Sequence, residues 1–222
     1  YRTFASGGSF SKFSDEFQTL SPVGEDTIYV HKSRKIALNQ EVYNDEVLAD
    51  LGISKEDLVE KTAVEVGNIF TLGTKFSGAL DLTFTTEDGK QEIVFMGSYG
   101  IGPRRLVGLL AEHFADEKGL IWPVGIAPYH VCLVAIGDVQ AEAEKLYHDL
   151  EQAGIEVLYD DRDERPGTKF ADAELMGLPY RVVLSERTLA ENSVELAKRQ
   201  TGAVKVVGLS DLVAKLQQKI TE

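Results

Sequence analysis

Seven residues, Trp122-Pro123-Val124-Gly125-Ile126-Ala127-Pro128, divide this 222-residue chain into two stretches with different patterning. Two prolines and a glycine so close together interrupt helix and sheet alike, because proline lacks an N–H and fixes φ while glycine favours no basin. Beyond the break, apolar runs alternate with amphipathic ones. The patterning predicts strands at 131–136, 156–159, 180–184 and 204–207, with helices at 138–153, 169–176 and 210–220, the first of them closed by Gly154. Val139, Ala143, Leu146, Tyr147 and Leu150 recur at helical spacing and form that helix's buried stripe. Such alternation predicts an α/β domain, and with 43% hydrophobic residues the chain can support two cores, which we place at residues 1–125 and 126–222.

The first stretch reads differently. Residues 80–85 and 91–96 are apolar or alternating runs joined by Glu87-Asp88-Gly89, the signature of an antiparallel hairpin. MGSYGIGPRR follows, from Met96 to Arg105. A Gly-x-Gly turn opening a helix suits phosphate, since the backbone can come close and the first helical turn has unpaired N–H groups. Pro103 fits a first helical position, Leu106, Val107, Leu110 and Phe114 follow at helical spacing, and Gly119 can end the helix. The pattern argues against a dinucleotide fold, which needs a parallel strand before the turn and a third glycine where Arg105 stands. Arg104 and Arg105 oppose the helix dipole, and either a bound anion or plain solvation accounts for them. The acidic residues of 41–65 are expected on a solvated helix face, with Ser54 and Asp57 marking a helix start.

The loop from Asp160 to Lys169, DDRDERPGTK, lies at the carboxyl end of a predicted strand, where open α/β sheets bind ligands. Arg162, Arg165 and Lys169 can donate to phosphates or guanine edges and the acids can accept from base amino groups; a salt-linked surface loop fits the alternating charges equally well. A net charge of −13 argues against indiscriminate nucleic-acid binding, so any such contact is local. Cys132, the single cysteine, falls in the apolar run VCLVAI and reads as a core residue. His31, His113, His130 and His148 lack paired ligand spacing, so no metal site is expected. No signal peptide and no apolar run of membrane-span length stand out, and a cytoplasmic protein without membrane contact is the expectation.

Several motifs, in order, carry a resemblance to bacterial-type prolyl-tRNA synthetases. MGSYGIGPRR resembles the third signature motif of class II aminoacyl-tRNA synthetases, and EVGNIFTLGTKFS from Glu65 resembles the segment that precedes it in the prolyl family. IAPYHV, LYDDRDERPGTKFADAELMGLP and VELAKR (Val194 to Arg199) resemble the anticodon-binding domain of the same enzymes, and the segments Gly7–Phe17 and GEDTI at Gly24 resemble the part after their second motif. The fold so implied is an α+β part of a class II catalytic domain with an antiparallel sheet, followed by an α/β anticodon-binding domain with a mixed sheet.

The resemblance also implies chemistry. Proline and ATP, the latter with Mg2+ as a substrate complex and no tightly bound cofactor, would form prolyl-adenylate, and proline tRNA would accept the prolyl group. Arg105 matches the motif's catalytic, ATP-binding arginine, and Gly100 and Gly102 would let the nucleotide approach the backbone. Glu65, Gly67, Asn68, Phe70, Gly97 and Ser98 match the wall of the proline pocket, with Glu16 the candidate partner of the prolyl amine. Asp161, Arg162, Lys169, Glu195 and Arg199 are the implied anticodon-reading residues. Homodimerisation is expected of the parent enzyme. The resemblance starts after the places of the first and second motifs, so little aminoacylation is expected from these residues alone. Only about forty residues separate GEDTI from EVGNIF, too few for an editing domain. Phe10 to Asp15 is longer than the family spacing, and Arg104 stands where a small polar residue is usual. The alternative is a non-catalytic paralogue acting as an RNA-binding or regulatory module; retention of Arg105 and the glycines favours the ligase.

Overall fold

A computed structural model describes residues 1–221 as two compact units, Tyr1–Leu109 and Leu110–Glu222, the final residue lying outside the described ones. The division falls earlier than the expected 125/126 boundary. The reason is local pairing: β9 (Ala115–Asp116) and β10 (Gly119–Leu120, below) pair with each other, and Trp122 N–H donates to Gly177 O at 3.0 Å within the second unit. The proline-rich segment is an internal turn of that unit rather than its entrance.

In the first unit, β1 (Arg2–Ser6), β2 (Phe13–Leu20), β3 (Asp26–His31), β4 (Ile36–Asn39) and β5 (Leu58–Gly73) pair in a closed circuit, β2 to β1 to β4 to β3 to β5 and back to β2. All these pairs are antiparallel except β1 with β4. A circuit leaves few free strand edges. Ile28, Ala37 and Ala63, fully buried, and Val30 form one small core, and Leu38, Val42, Val47, Leu48 and Ile53 form another beneath α1 (Asp45–Leu51). Asn44 caps α1, its Oδ1 accepting from Val47 N–H at 3.0 Å, a bond worth about 1 kcal/mol.

The expected acidic helix over 41–65 is therefore corrected. Its helix is seven residues long and ends at Gly52; Ser54 makes no side-chain cap; and residues 58–73 are the longest strand of the chain. β5 is held by three partners, β2, β3 and β8 (Met96–Ile101), and these pairings outweigh the helical propensity of Glu60 and Glu65.

After α2 (Lys75–Ala79), the hairpin is present but short, β6 (Thr83–Thr85) with β7 (Gln91–Ile93), turning through Gly89 at φ +80°. The glycine-rich segment before the helix is not a turn: residues 96–101 are β8, antiparallel to β5, and α3 (Pro103–His113) follows at once. Gly102 joins them, its N–H donating to Val66 O at 3.1 Å and its carbonyl accepting from Leu106 N–H at 2.9 Å.

The second unit has a mixed five-stranded sheet. Its strands are β11 (Val131–Ile136), β12 (Val157–Asp160), β13 (Tyr180–Ser185), β14 (Ser193–Lys198) and β15 (Val204–Gly208), in spatial order β12-β11-β13-β14-β15. The first three run parallel, and β14 runs antiparallel to both of its neighbours, β13 and β15. α4 (Gln140–Gln152) and α7 (Leu209–Thr221) cover one face through Leu146, Leu150, Leu212 and Leu216, and α5 (Pro166–Met176) covers Cys132 and Val134 on the other. Cys132 is in the core as expected, and burial pushes its thiol up to about 11. Four elements of this unit had no counterpart in the sequence pattern: the two-residue strands β9 and β10, β14, and α6 (Glu186–Ala190), which Ser185 and Thr188 cap reciprocally.

Candidate functional site

Cross-strand register assembles the first candidate site. β2, β5 and β8 set Glu16, Asn68 and Gly100 in one row, because Glu16 pairs with Asn68 and Asn68 with Gly100. Side chains in such a row share a face, and so do those two residues along each strand, which adds Phe70 and Ser98, themselves paired. A bulge at Phe17/Gln18 brings Glu65 opposite Gln18. Gly97 is paired with Thr71 in the alternate row and faces the other way.

Glu65 links this face to the start of α3. One carboxylate oxygen accepts from Asn68 Nδ2 at 2.8 Å and the other from Arg105 Nη1 at 2.7 Å. Glu65 is largely covered, whereas half of the Arg105 side chain is exposed, so the guanidinium is anchored by one nitrogen and keeps its other donors for a ligand. Glycine is required at 67, where a Cβ would lie 2.8 Å from Gly100 O, whereas a Cβ on Gly100 would lie 2.5 Å from Asn68 Oδ1 and displace that side chain from the row.

Glu16 sits in a polar cluster that the sequence did not disclose. Its Oε2 accepts from Gln18 Nε2 at 2.9 Å and from Asn39 Nδ2 at 3.1 Å, and Gln18, 1% exposed, also donates to Asp26 Oδ2 at 2.6 Å. Gln18 is two residues along β2 from Glu16, but only the closed circuit brings in β3 and β4, so no local spacing could have found Asp26 or Asn39. Burial raises the Glu16 carboxyl above its ordinary value near 4.5; Gln18 and Asn39 oppose the shift, and the charges of Glu65 and Asp26 add to it. A raised carboxyl pKa means that ionisation is disfavoured in the fold, so stability falls as pH rises from the unfolded value through the folded one. Glu16→Gln is therefore expected to raise the melting temperature of the first unit at pH 7, the gain vanishing toward pH 4, by calorimetry across that range. A less stable variant at pH 7 would mean that Gln18 and Asn39 outweigh desolvation.

The second candidate site is at the carboxyl ends of β11 and β12. A hollow of about 390 Å³ there is lined by Gly137, Asp138, Asp161, Arg162, Glu164 and Lys169 among others. Arg162 donates to Asp160 through Nε and Nη2, and to Asp172 through Nη2, all at 2.8 Å. Those bonds raise the Arg162 pKa and lower that of Asp160, whose side chain is nearly buried. The guanidinium is thereby held in place by two carboxylates while about half of the side chain stays exposed. Asp161 is exposed beside it.

The remaining sequence-derived residues part company. Lys169 is 5% exposed and its Nζ donates to Ala135 O and Asp160 O, both at 3.1 Å, so it supports the loop from below instead of facing the hollow as a free cation. Glu195 is on β14, in the row of Asp160 but three strands away, roughly 14 Å at the usual strand spacing, and accepts from Arg187 Nη2 at 2.5 Å. Arg199 is at the opposite end of the sheet. It grips Asp116 with two bonds of 2.8 and 2.6 Å and reaches Gly119 O and Glu174 O, clasping the β9–β10 pair to the domain. Asp116 is held well below the usual carboxylate range by that arginine.

A family model described as an anticodon binding domain matches residues 130–219, the mixed-sheet unit. The chain is 47% identical over 163 residues to a proline-tRNA ligase of Citrifermentans bemidjiense, covering 72% of this chain and 28% of that protein. It is also 47% identical over 163 residues to the proline-tRNA ligase of Geobacter sulfurreducens, covering 72% and 29%. With that of a Methylobacterium species the identity is 42% over 192 residues, 85% of this chain and 43% of the relative. The chain thus spans less than a third of the length of the first two relatives. With the motifs, the mixed sheet and these identities together, the chain belongs to the prolyl-tRNA synthetase family.

Proposed function

We propose that this chain supplies one wall of a proline-activating site and the tRNA-reading domain of a proline-tRNA ligase. The observation that carries the reading is the linked row of Glu16, Asn68 and Gly100 with the Asn68–Glu65–Arg105 chain beside it, which joins the residues implied for proline to the residue implied for ATP. In this reading the first unit is part of a class II catalytic domain. Glu16, held by two amide donors, pairs with the prolyl amine; Ser98 and Phe70 line the same face; and the proline carboxylate and ATP meet near Arg105. Gly100 and Gly102 keep side chains out of the nucleotide's path, as Gly67 keeps the strands close.

Activation joins a carboxylate to the α-phosphate of ATP with loss of pyrophosphate, so negative charge on phosphoryl oxygens is what must be stabilised. The donors of Arg105 that Glu65 leaves free can reach such oxygens, and the Glu65 bond keeps the guanidinium from collapsing onto other acids in a chain of net charge −13. Mg2+ arrives with ATP as part of the substrate. The uncovered apolar side chains of the first unit, Phe95 at 70%, Tyr99 at 80% and Ile101 at 74% exposure, fit a surface against which more of a longer, homodimeric ligase packs.

In the second unit Asp161 and Arg162 read anticodon bases and Lys169 shapes the loop that carries them, while Glu195 and Arg199 act through Arg187 and Asp116. The chain should bind proline tRNA more tightly than an anticodon-changed version at moderate salt. Asp161→Asn, an exposed change that breaks no bond in the fold, should weaken the cognate complex roughly tenfold or more, the size of one lost base contact. Equal affinity for the two RNAs, or an unaffected variant, would remove the anticodon assignment.

A further inference from the structure

The polar cluster around Glu16 is organised by its most buried member. Gln18 is 1% exposed, and its amide nitrogen donates to two carboxylates, Glu16 Oε2 at 2.9 Å and Asp26 Oδ2 at 2.6 Å. Its amide oxygen is left buried without a donor. A buried acceptor in that state is costly and rare in folded proteins. The two carboxylates explain it: with the amide turned over, an oxygen would face two acceptors and both N–H groups would lose their partners. Asp26, on β3, thus fixes which way Gln18 points as firmly as Glu16 does.

The consequence falls on Glu16. Asn39 Nδ2, from β4, donates at 3.1 Å to the oxygen that Gln18 already holds, Oε2. Oε1 accepts from no described residue and is open to solvent. Two donors on one oxygen restrict the rotation of the carboxylate and present the other oxygen in one orientation. Neither Glu16 nor Asp26 makes an ion pair among the described residues, and the nearby Glu65 is bonded to Arg105. A cation arriving at Oε1 therefore meets carboxylate charge that the fold leaves uncompensated.

We infer that Gln18 and Asp26 are positioning residues of the proline site: Asp26 fixes the Gln18 amide, and Gln18 with Asn39 holds Glu16 by Oε2 so that Oε1 accepts from the prolyl ammonium. The inference rests on the reading of Glu16 as the partner of that amine, and it adds the two residues that set the geometry of the contact. Both act through Glu16 and neither touches proline.

The test follows the Glu16 carboxyl signal of the full chain by carbon NMR, identified with Glu16→Gln, while L-proline or N-acetylproline is added. Proline should shift the signal saturably; N-acetylproline, which has no ammonium, should not. Gln18→Met, which fills nearly the same space and removes the donors, should weaken proline binding about tenfold. The same variant should raise the pH at which Glu16 titrates, because a hydrogen bond to its charged form is lost while Asn39, Asp26, Glu65 and the Arg105 bonded to Glu65 remain. Asp26→Ala should weaken binding about threefold or more, and Asp26→Asn, whose amide oxygen still accepts from Gln18, should restore it. Proline binding through Glu16 that Gln18→Met and Asp26→Ala leave unchanged overturns the inference and keeps the proline reading. Weakened binding with no movement of the Glu16 titration also overturns it, as a merely structural loss. Asp26→Asn as weak as Asp26→Ala overturns the part given to Asp26, which would then act by its charge. No response of Glu16 to proline removes the proline reading itself, and this inference with it.

Discussion

Gly177→Ala is expected to lower the unfolding midpoint of the second unit by roughly 10 °C or more, at about 4 °C per kcal/mol for a domain of this size. Two effects add. Gly177 ends α5 with φ +72° and ψ 25°, a left-handed conformation that costs a residue with a side chain about 1–2 kcal/mol. A Cβ there would also lie 1.9 Å from Leu120 O and 2.1 Å from Leu120 C, and backbone atoms cannot rotate out of the way. β10 would have to move, and with it the bond from Trp122 N–H to Gly177 O. Gly154 is the internal control: its φ is +76°, yet nothing lies within 4 Å of its Cβ position, so Gly154→Ala should cost only the backbone part. Trp122 is the chain's one tryptophan and packs against the α5 core, so its fluorescence reports on this unit. Equal midpoints for the two variants would mean that the β9–β10 segment yields without cost.

Lys169→Met should destabilise the same unit by about 3 kcal/mol in urea titrations followed by the same fluorophore. The aliphatic stem is largely replaced, so the loss reports on the ammonium. That group ties the last turns of two neighbouring strands, at Ala135 O and Asp160 O, and its removal leaves both carbonyls buried without this donor, at about 1–3 kcal/mol each. Methionine's better burial offsets part of that. RNA affinity should fall only to the extent that the loop above loses order. A variant of unchanged stability that no longer bound RNA would instead restore Lys169 as a direct contact.

The contrast between Lys169 and Asp161 shows how far a sequence can be read. The loop, its charges and its position at a strand's carboxyl end were all visible as pattern, because strand and helix periods flank it. Which of its cations faces solvent was not, since Pro166 begins α5 earlier than the expected residue 169 and turns Lys169 inward. Arg199 is a similar case: its motif was legible, but its partner Asp116 is 83 residues away in sequence. The hairpin at Gly89 was legible through its turn chemistry. The 16-residue β5 was not, because its acidic residues imitate a helix face until three other strands claim its edges.

By itself the sequence determined the two-part organisation, the α/β character of the second unit, the burial of Cys132 and the family, all of which rest on local period, turn residues or contiguous motifs. Only the tertiary structure decided where the units divide, that the glycine segment is a strand, and which distant polar groups meet: Glu16 with Asn39, Glu65 with Arg105, and Arg199 with Asp116. Local pattern reflects interactions within a few residues. Strand register and the pairing of buried charges depend on chain segments far apart in sequence, and those are chosen by which arrangement leaves the fewest polar groups unsatisfied once the apolar faces are covered.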